Sequence, residues 1–416
     1  MAEVLIVQLA RFGDLVQTKR LVRSVAAAGH RVHLCLDRSL LGLARLVFPE
    51  AVLHPVLAHA GGQATAAQDL LASNSEAFAG LAAVPFSRVY NLNFSGLNFR
   101  LAALFDPALV EGYAWQDGQE RIRDWPGLAM RWSRQRRIGI NLVDFFAAYS
   151  RSMVAPRDVN PQASPRGGGV GVVLAGRASR RSLPPKVLAP LVAAAAERCG
   201  TGAVVLLGSA AEAPLARQVL KEFSPKLAKT TRDLAGKTDW SGLIETLSGL
   251  DLVLTPDTGT MHLAAHLGVP VAAFFLSSAW GQETGPYGLG HTVFQALIDC
   301  LPCLETKPCE YDRACLAGFA DPGLPRFLAT GLSRHAPEGL LVLASGFDIL
   351  GGTFTPIVGV DPSAGERTRF RHFLAAHLGL AGLGQGDFPA EADLAARFFH
   401  ESDWMAENHW RSSVLD

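Results

Sequence analysis

The segment that most constrains the fold of this chain is DLVLTPDTGTMHLAAHLGVP, residues 251–270. It begins with apolar and β-branched residues, which favour a buried strand, and Pro256 ends that strand. The next three residues, Asp257, Thr258 and Gly259, are typical of a turn and a helix N-cap. A helical spacing follows and ends at a glycine and a proline. A buried strand followed directly by a helix predicts an α/β protein with a parallel sheet.

The corner between this strand and this helix is a candidate anion site. The N-terminus of a helix presents free backbone N–H groups and the positive end of its dipole, and both attract phosphate. The spacing alone leaves a simpler alternative open, in which Asp257 and Thr258 only satisfy backbone donors. His262 lies one turn into the helix and is either a ligand-binding residue or an ordinary core histidine.

The composition excludes several classes of protein. The chain has 416 residues, of which 49% are hydrophobic and 18% charged, as expected for two or three packed domains. Lys plus Arg equals Asp plus Glu at 38 each, so no net charge favours nucleic acid. The start, MAEVLIVQLARFGD, lacks the features of a signal peptide, and no apolar run approaches the about 20 residues of a spanning helix. We therefore expect a cytoplasmic protein, with contact to a membrane surface left open.

The alternation of strand and helix occurs twice and predicts two Rossmann-like domains. The first series includes EVLIVQL, a helix from about Leu15 to Ala28, RVHLCLD and RVYNLNF, and the second extends from GVGVVLA to PVAAFF. The predicted bounds are residues 1–160 for the first domain, 161–169 for a linker, 170–330 for the second domain and 331–416 for a C-terminal extension. FRHFLAAHLGL and ADLAARFFHESDWMAENHW in the extension have the pattern of closing helices. Two such domains predict a cleft with ligands at the carboxyl ends of the strands.

The 6 cysteines fall into two groups. Cys35 and Cys199 are isolated in apolar surroundings, where buried thiols are expected. The remaining four lie in one loop, at Cys300, Cys303, Cys309 and Cys315. Their spacing is compatible with tetrahedral thiolate coordination of a structural Zn or Fe ion. It is equally compatible with redox-labile pairs or with free buried thiols, and spacing does not separate these alternatives.

A basic segment, ERIRDWPGLAMRWSRQRR at residues 120–137, contains Trp125 and Trp132 between its arginines. Arginine and tryptophan together suit a phosphorylated saccharide or an anionic membrane face. A solvated helix is the simpler alternative. No motif in the segment indicates nucleic acid.

Several segments together resemble glycosyltransferase family 9, the heptosyltransferases that build the inner core of lipopolysaccharide. The resemblance extends from residue 1 to about residue 316. In the first half it rests on VLIVQLARFGDLVQT, NLNFSGLNFRL and NLVDFF. In the second half it rests on AGRASRRSLP, LLGSAAE, DLAGKTDWSGLIETLSGLDLVLTPDTGTMHLAAHLGVPVAAFF, TGPYG and CLPC. The resemblance implies the α/β GT-B fold, in which two Rossmann-like domains face a central cleft, here with a C-terminal extension.

The resemblance also implies a nucleotide-sugar site in the second domain. Residues 257–262 match the DTGxxH motif of the family, which implies contact with the diphosphate and the adjoining sugar. Glu212 would accept hydrogen bonds from the ribose, although a solvated glutamate at a helix start is an alternative. Backbone from Ala235 to Thr238 would line the base pocket. The implied donor-binding residues are Gly13, Glu212, Gly236, Lys237, Thr238, Asp257, Thr258, Gly259, Thr260 and His262.

Two residues are implied in catalysis. Asp14 in RFGD matches the aspartate proposed in the family as the base that deprotonates the acceptor hydroxyl, and its alternative role is to cap the following helix. Arg181 stands where the family has lysine in Lys-Arg-Trp-Pro, so it would be the cation that faces the leaving diphosphate. Because arginine is planar and bidentate where lysine is a point charge, this departure affects donor identity more than donor class.

The implied function is an inverting glycosyltransferase that moves heptose from ADP-heptose to a hydroxyl of a bacterial surface glycan such as lipopolysaccharide core. The implied partners are a nucleotide sugar, a glycan or glycolipid acceptor and a peripheral contact with the inner membrane, without nucleic acid. No cofactor is required for the chemistry, and the only expected metal is the structural Zn or Fe of the cysteine loop. Transfer of another sugar and transfer to a protein acceptor stay open, as does a catalytically silent nucleotide- or glycan-binding module.

Overall fold

The structure is a computed structural model that describes residues 1–59, 72–174, 180–304 and 307–380 and Leu394, without the side chains of Arg134 and Gln135. A closing helix was predicted over residues 392–410. Except for Leu394, this segment lies outside the described residues. The described residues divide into two compact units. Unit 1 contains Met1–Val154 and the described residues from Glu366 on, and unit 2 contains Ala155–Gly365.

Unit 1 is built on one sheet with the strand order β3-β2-β1-β4-β5-β6. The first five strands in that order pair in parallel, and β6 is antiparallel to β5. The strands are β1 Glu3–Gln8, β2 Arg31–Asp37, β3 Val52–Val56, β4 Arg88–Asn91, β5 Val110–Gln116 and β6 Gln119–Ile122. Strand order reverses between β1 and β4, so the carboxyl ends of these two strands form the switch point at which α/β sheets bind ligands.

Unit 2 is built on a second sheet with the strand order β14-β13-β12-β11-β10-β7-β8-β9. Its strands from β12 through β9 in that order pair in parallel, and an antiparallel hairpin of β13 and β14 extends the β12 edge. The strands are β7 Val170–Val173, β8 Val204–Leu207, β9 Thr231–Asp233, β10 Leu252–Pro256, β11 Val271–Phe275, β12 Thr292–Ala296, β13 Leu340–Phe347 and β14 Gly352–Val358. The switch point lies between β7 and β10.

Helices accompany both sheets. Those of unit 1 within the described N-terminal part are α1 Phe12–Gln17, α2 Lys19–Ala27, α3 Leu41–Val47, α4 Ser75–Ala82, α5 Gly96–Ala102, α6 Asp124–Trp132 and α7 Leu142–Ala147. The chain continues with α8 Pro185–Arg198, α9 Ala213–Glu222, α10 Pro225–Thr230, α11 Trp240–Ser248, α12 Gly259–His266, α13 Gly281–Thr284, α14 Ala317–Ala320, α15 Gly323–Thr330 and α16 Ala364–His377. The helix predicted from Leu15 to Ala28 is two helices, which meet at Thr18.

Residues 161–169, predicted as a linker, are part of unit 2 and are hydrogen-bonded within it. Ala163 N donates to Leu289 O over 3.0 Å, and Ser164 N donates to Gly268 O over 3.0 Å. Gly168 N donates to Gly249 O over 2.9 Å. The division between the units falls earlier, after Val154.

The predicted extension at residues 331–416 is divided between the two units. The β13–β14 hairpin completes the second sheet, whereas α16 belongs to unit 1 from Glu366 on. Phe370 of α16 is fully buried and meets Trp132 edge-on, with 5.3 Å between the ring centroids. Arg367 Nη2 donates to Arg137 O over 2.7 Å. No helix among the described residues has the length and apolar character needed to span a bilayer.

Candidate donor and acceptor sites

The polar corner of residues 257–259 lies at the switch point of the second sheet, as the sequence pattern requires. Asp257 follows β10, and Arg181 lies in the segment after β7, so the two residues come from the two strands that flank the switch point. Arg181 Nη1 donates to Asp257 Oδ2 over 3.2 Å. Thr284 Oγ1, at the end of α13, donates to the same oxygen over 3.1 Å. The Asp257 carboxylate therefore fixes the arginine, and its contact with the donor stays a prediction.

His262 faces the other oxygen of the same carboxylate. Its Nε2 lies 3.9 Å from Asp257 Oδ1, a distance at which a protonated ring would form an ion pair. Burial lowers the pKa of His262 to about 3, so the ring is neutral at ordinary pH. His262 is thus a buried neutral ring beside Asp257. Arg181 is the charged partner of that carboxylate.

The N-terminus of α12 completes the corner. Thr258 is the N-cap, and its Oγ1 accepts a hydrogen bond from Met261 N over 3.3 Å. Thr255 Oγ1 lies 3.1 Å from the same hydroxyl oxygen. Gly259 and Thr260 are half-buried in the first turn, where backbone N–H groups lack partners within the helix. The capping role that the sequence left open for Thr258 is realised, and it is compatible with an anion site at the same helix end.

The loop that contains Glu212 packs against the loop that contains Gly236. Glu212 Oε2 accepts a hydrogen bond from Ser209 N over 2.6 Å, so this carboxylate caps its own helical turn. A Cβ on Gly236, which has φ +72°, would lie 2.7 Å from Ala210 Cα, so only glycine permits this approach. Gly236 N also donates to Gly208 O over 2.8 Å.

Lys237 and Thr238 line a cavity of about 780 Å³ that includes neither Glu212 nor Asp257 among its lining residues. Lys237 Nζ donates to Asp233 O over 2.8 Å, and the side chain is 60% exposed. The Lys237 side chain is thus engaged with its own loop. The base pocket expected along the backbone of residues 235–238 stays a prediction.

Asp14 lies at the switch point of the first sheet, on α1 directly after β1. Its Oδ2 accepts a hydrogen bond from Arg11 N over 3.2 Å, so the carboxylate does cap the helix. Burial raises the pKa of the Asp14 carboxyl, which favours a stronger base, while hydrogen bonds from the backbone oppose the rise. Gly13 is half-buried beside it in the same turn.

A buried amide network fixes the loop between β1 and α1. Gln8, which is fully buried, accepts a hydrogen bond at Oε1 from Asn93 Nδ2 over 2.6 Å. Asn93 follows β4, and its Oδ1 accepts from Leu9 N over 2.6 Å. Gln8 Nε2 donates to Thr18 Oγ1 over 3.1 Å, and Thr18 Oγ1 donates to Asp14 O over 2.8 Å. Gln8 and Asn93 were not predicted from the sequence, although polar residues at the carboxyl ends of strands are a signal for such positions. Thr284 was not predicted either, because it lies at the end of α13 and meets Asp257 only through the fold.

The four clustered cysteines line one cavity of about 320 Å³. Cys315 is buried, Cys300 and Cys303 are half-buried, and Cys309 is exposed. Within the described part of the chain, no three His, Cys, Asp or Glu side chains converge closely enough to bind a metal ion. The donor set has the right chemistry for zinc or iron, but its arrangement here does not fit one.

The Arg–Trp segment is a packing element of unit 1. Trp132 is 6% exposed. Trp125 stacks on Phe145 with 5.8 Å between centroids and meets Trp132 edge-on at 5.3 Å. Neither the saccharide surface nor the solvated helix suggested by the sequence describes these tryptophans, because they form an aromatic core with α7 and α16.

Part of unit 2 is similar to a known protein family. Residues 191–313 match the model of the family described as Glycosyltransferase family 9 (heptosyltransferase). A segment of 73 residues is 32% identical to Lipooligosaccharide heptosyltransferase 2 of Haemophilus influenzae, and it covers 18% of this chain and 21% of that protein. The aligned part therefore represents about a fifth of that relative. Asp14 and Arg181 lie outside the matched residues 191–313.

Solved structures show the same fold. The glycosyl transferase family 9 protein from Veillonella parvula has a TM-score of 0.56 at 15% identity, covering 72% of this chain and 88% of that one. The ADP-heptose lipopolysaccharide heptosyltransferase II of E. coli has a TM-score of 0.52 at 15% identity, with coverages of 76% and 98%. The E. coli heptosyltransferase WaaC with ADP has a TM-score of 0.50 at 18% identity, with coverages of 71% and 93%.

The two sheets and these likenesses confirm the predicted α/β fold of the GT-B type. Within that fold, residues 191–313 of unit 2 are similar to glycosyltransferase family 9, the heptosyltransferases.

Proposed function

We propose that the protein is an inverting glycosyltransferase that transfers heptose from ADP-heptose to a hydroxyl of a bacterial surface glycan such as lipopolysaccharide core. The observation that supports this most is the convergence of Arg181, Asp257 and Thr284 at the switch point of the second sheet, beside the N-terminus of α12. Such a corner combines a fixed cation with free backbone donors, which is the chemistry that a nucleotide diphosphate requires.

The donor would lie in unit 2. Arg181 and the first turn of α12 would bind the diphosphate and stabilise the charge that develops on it as the glycosidic bond breaks. Asp257 would orient Arg181 through its 3.2 Å hydrogen bond. The ribose and the base would contact Glu212 and the backbone of residues 235–238, respectively.

The acceptor would lie on unit 1. A sugar hydroxyl is a poor nucleophile, and Asp14 would take its proton as the new bond forms. The raised pKa of Asp14 suits a general base, because a carboxylate with a higher pKa accepts a proton more readily. We expect this reaction at the cytoplasmic face of the inner membrane, where the acceptor would be anchored.

The cysteine loop would have a structural role in this proposal. Its four thiols line one cavity, but among the described residues they do not converge as the ligands of a zinc or iron ion would. No step of the proposed chemistry passes through such an ion.

A transfer assay tests the proposal. Purified protein is incubated with ADP-heptose and a lipopolysaccharide core acceptor that lacks the heptose, and the product is detected by mass spectrometry with release of ADP. Formation of a heptosylated acceptor, abolished in the Arg181→Ala variant, is the expected result. A protein that binds ADP-heptose but transfers nothing to any glycan would instead be a binding module.

A further inference from the structure

The cysteine loop, residues 300–315, is hydrogen-bonded to the segment that contains Arg181, on both sides of that arginine. On one side, Arg180 Nη2 donates to Leu304 O over 3.1 Å. On the other side, Arg313 Nη2 donates to Ser182 O over 3.4 Å. The loop therefore contacts the residue before and the residue after the cation of the proposed donor site.

Arg313 has a backbone conformation that the loop itself maintains. Its φ is +57°, and Asp312 before it has φ +43°, a left-handed region that residues with a Cβ rarely adopt. Arg313 N donates to Cys309 Sγ over 3.3 Å. The backbone N–H of Tyr311 also bonds to this thiol, and the two bonds lower the pKa of Cys309. The thiol thus fixes the turn from which the Arg313 side chain extends to Ser182.

We infer that the cysteine loop positions Arg181 for the donor diphosphate, with Arg313 as the positioning residue. This inference rests on the proposed function, in which Arg181 faces the diphosphate. When the segment is anchored on both sides, the arginine is ordered before the donor arrives, and binding does not include the entropic cost of ordering it. Asp257 fixes the guanidinium, and the loop fixes the backbone that supports it.

Isothermal titration with ADP, and with inorganic pyrophosphate as a diphosphate-only probe, tests the inference. Arg313→Ala should weaken both by about three- to tenfold, the size expected when one side chain must be ordered on binding. Adenosine, which lacks the diphosphate, should bind unchanged. Lys307→Ala is the matched control, because it removes a cation that lines the same cavity and should leave ADP affinity unaltered.

A double-mutant cycle separates positioning from direct contact. If Arg313 acts through Arg181, Arg313→Ala should have no further effect on ADP affinity in the Arg181→Ala background. An equal loss in both backgrounds, or no loss in the wild-type background with the fold intact, overturns the inference. Thermal unfolding establishes folding first, and Arg313→Lys replaces Arg313→Ala if the latter is unfolded, with a smaller loss expected. If Arg181→Ala alone leaves ADP affinity unchanged, the proposed donor site itself is wrong.

Discussion

Polar pairs link the strands at the switch points of both sheets. In the first sheet, Gln8 at the end of β1 bonds to Asn93 after β4, over 2.6 Å. In the second, Arg181 after β7 bonds to Asp257 after β10, over 3.2 Å. The parallel sheets bring these loops together, so each pair stands where an α/β sheet binds its ligand.

Asp14→Asn tests the proposed base. Without a carboxylate to accept the proton, turnover should fall by roughly two to four orders of magnitude while donor affinity stays nearly constant. The base acts in its deprotonated form, so kcat/KM of the wild type should fall as the pH drops through the raised pKa of Asp14. The variant should lose this acidic limb. Wild-type turnover in a folded variant would show that Asp14 only caps α1.

Substitutions of Asp257 and Thr284 should weaken donor binding to different extents. Asp257→Ala removes the partner of Arg181 and should raise the donor dissociation constant by at least about tenfold, as for loss of a charge-assisted bond. Thr284→Val removes one hydrogen bond to the same oxygen and should raise it by about threefold. Thr355→Val, at an exposed position of β14, is the control. Equal dissociation constants in all four proteins, measured by calorimetry, would move the donor site elsewhere.

Some of the site residues are specified by local sequence and others only by the fold. Thr258 and the turn at Asp257 follow from local chemistry, because N-caps are specified within three residues. Thr284 could not be found in this way, since it lies 27 positions from Asp257 and meets it only through the fold.

At the scale of elements, α16 contributes to the core of unit 1. Phe370 is fully buried against Trp132, so Phe370→Ala should lower the free energy of unfolding by about 3–5 kcal/mol. Leu46→Ala, at a position 45% exposed in the same unit, should change it by less than about 0.5 kcal/mol. Urea unfolding followed by tryptophan fluorescence measures both. A loss for Phe370→Ala as small as that for Leu46→Ala would mean that α16 does not pack on unit 1.

Metal analysis tests the structural ion that the sequence suggests for the cysteine loop. If the four thiols close around a structural ion, protein purified under reducing conditions without added metal should contain close to one Zn or Fe per chain, and a chelator should remove it. Cys303→Ser should then lower thermal stability. Absence of both metals together with an unchanged melting temperature for Cys303→Ser would leave the loop with free thiols.

For the molecule as a whole, the two series of strands and helices predicted two α/β domains. The alternation of apolar strands with helices is a local pattern, so it can be read from the sequence. The exact course of the chain between them is a long-range property. The glycine-rich residues 161–169 have the composition of a linker, yet they are part of unit 2, where backbone hydrogen bonds hold them. Likewise, composition does not reveal that α16 belongs to unit 1 from Glu366 on while β13 and β14 extend the other sheet.

Nucleotide binding by unit 2 would depend on Arg181 and on the corner at Asp257. Thermal unfolding with a panel of nucleoside diphosphates and nucleotide sugars measures this binding. A ligand present at about 100 times its dissociation constant should stabilise the folded state by about 2.7 kcal/mol. We predict that ADP and ADP-heptose raise the melting temperature of the wild type, and that Arg181→Ala and Asp257→Ala greatly reduce this shift. The proposal would be contradicted if no nucleotide raised the melting temperature, or if the nucleotides raised it equally in all three proteins.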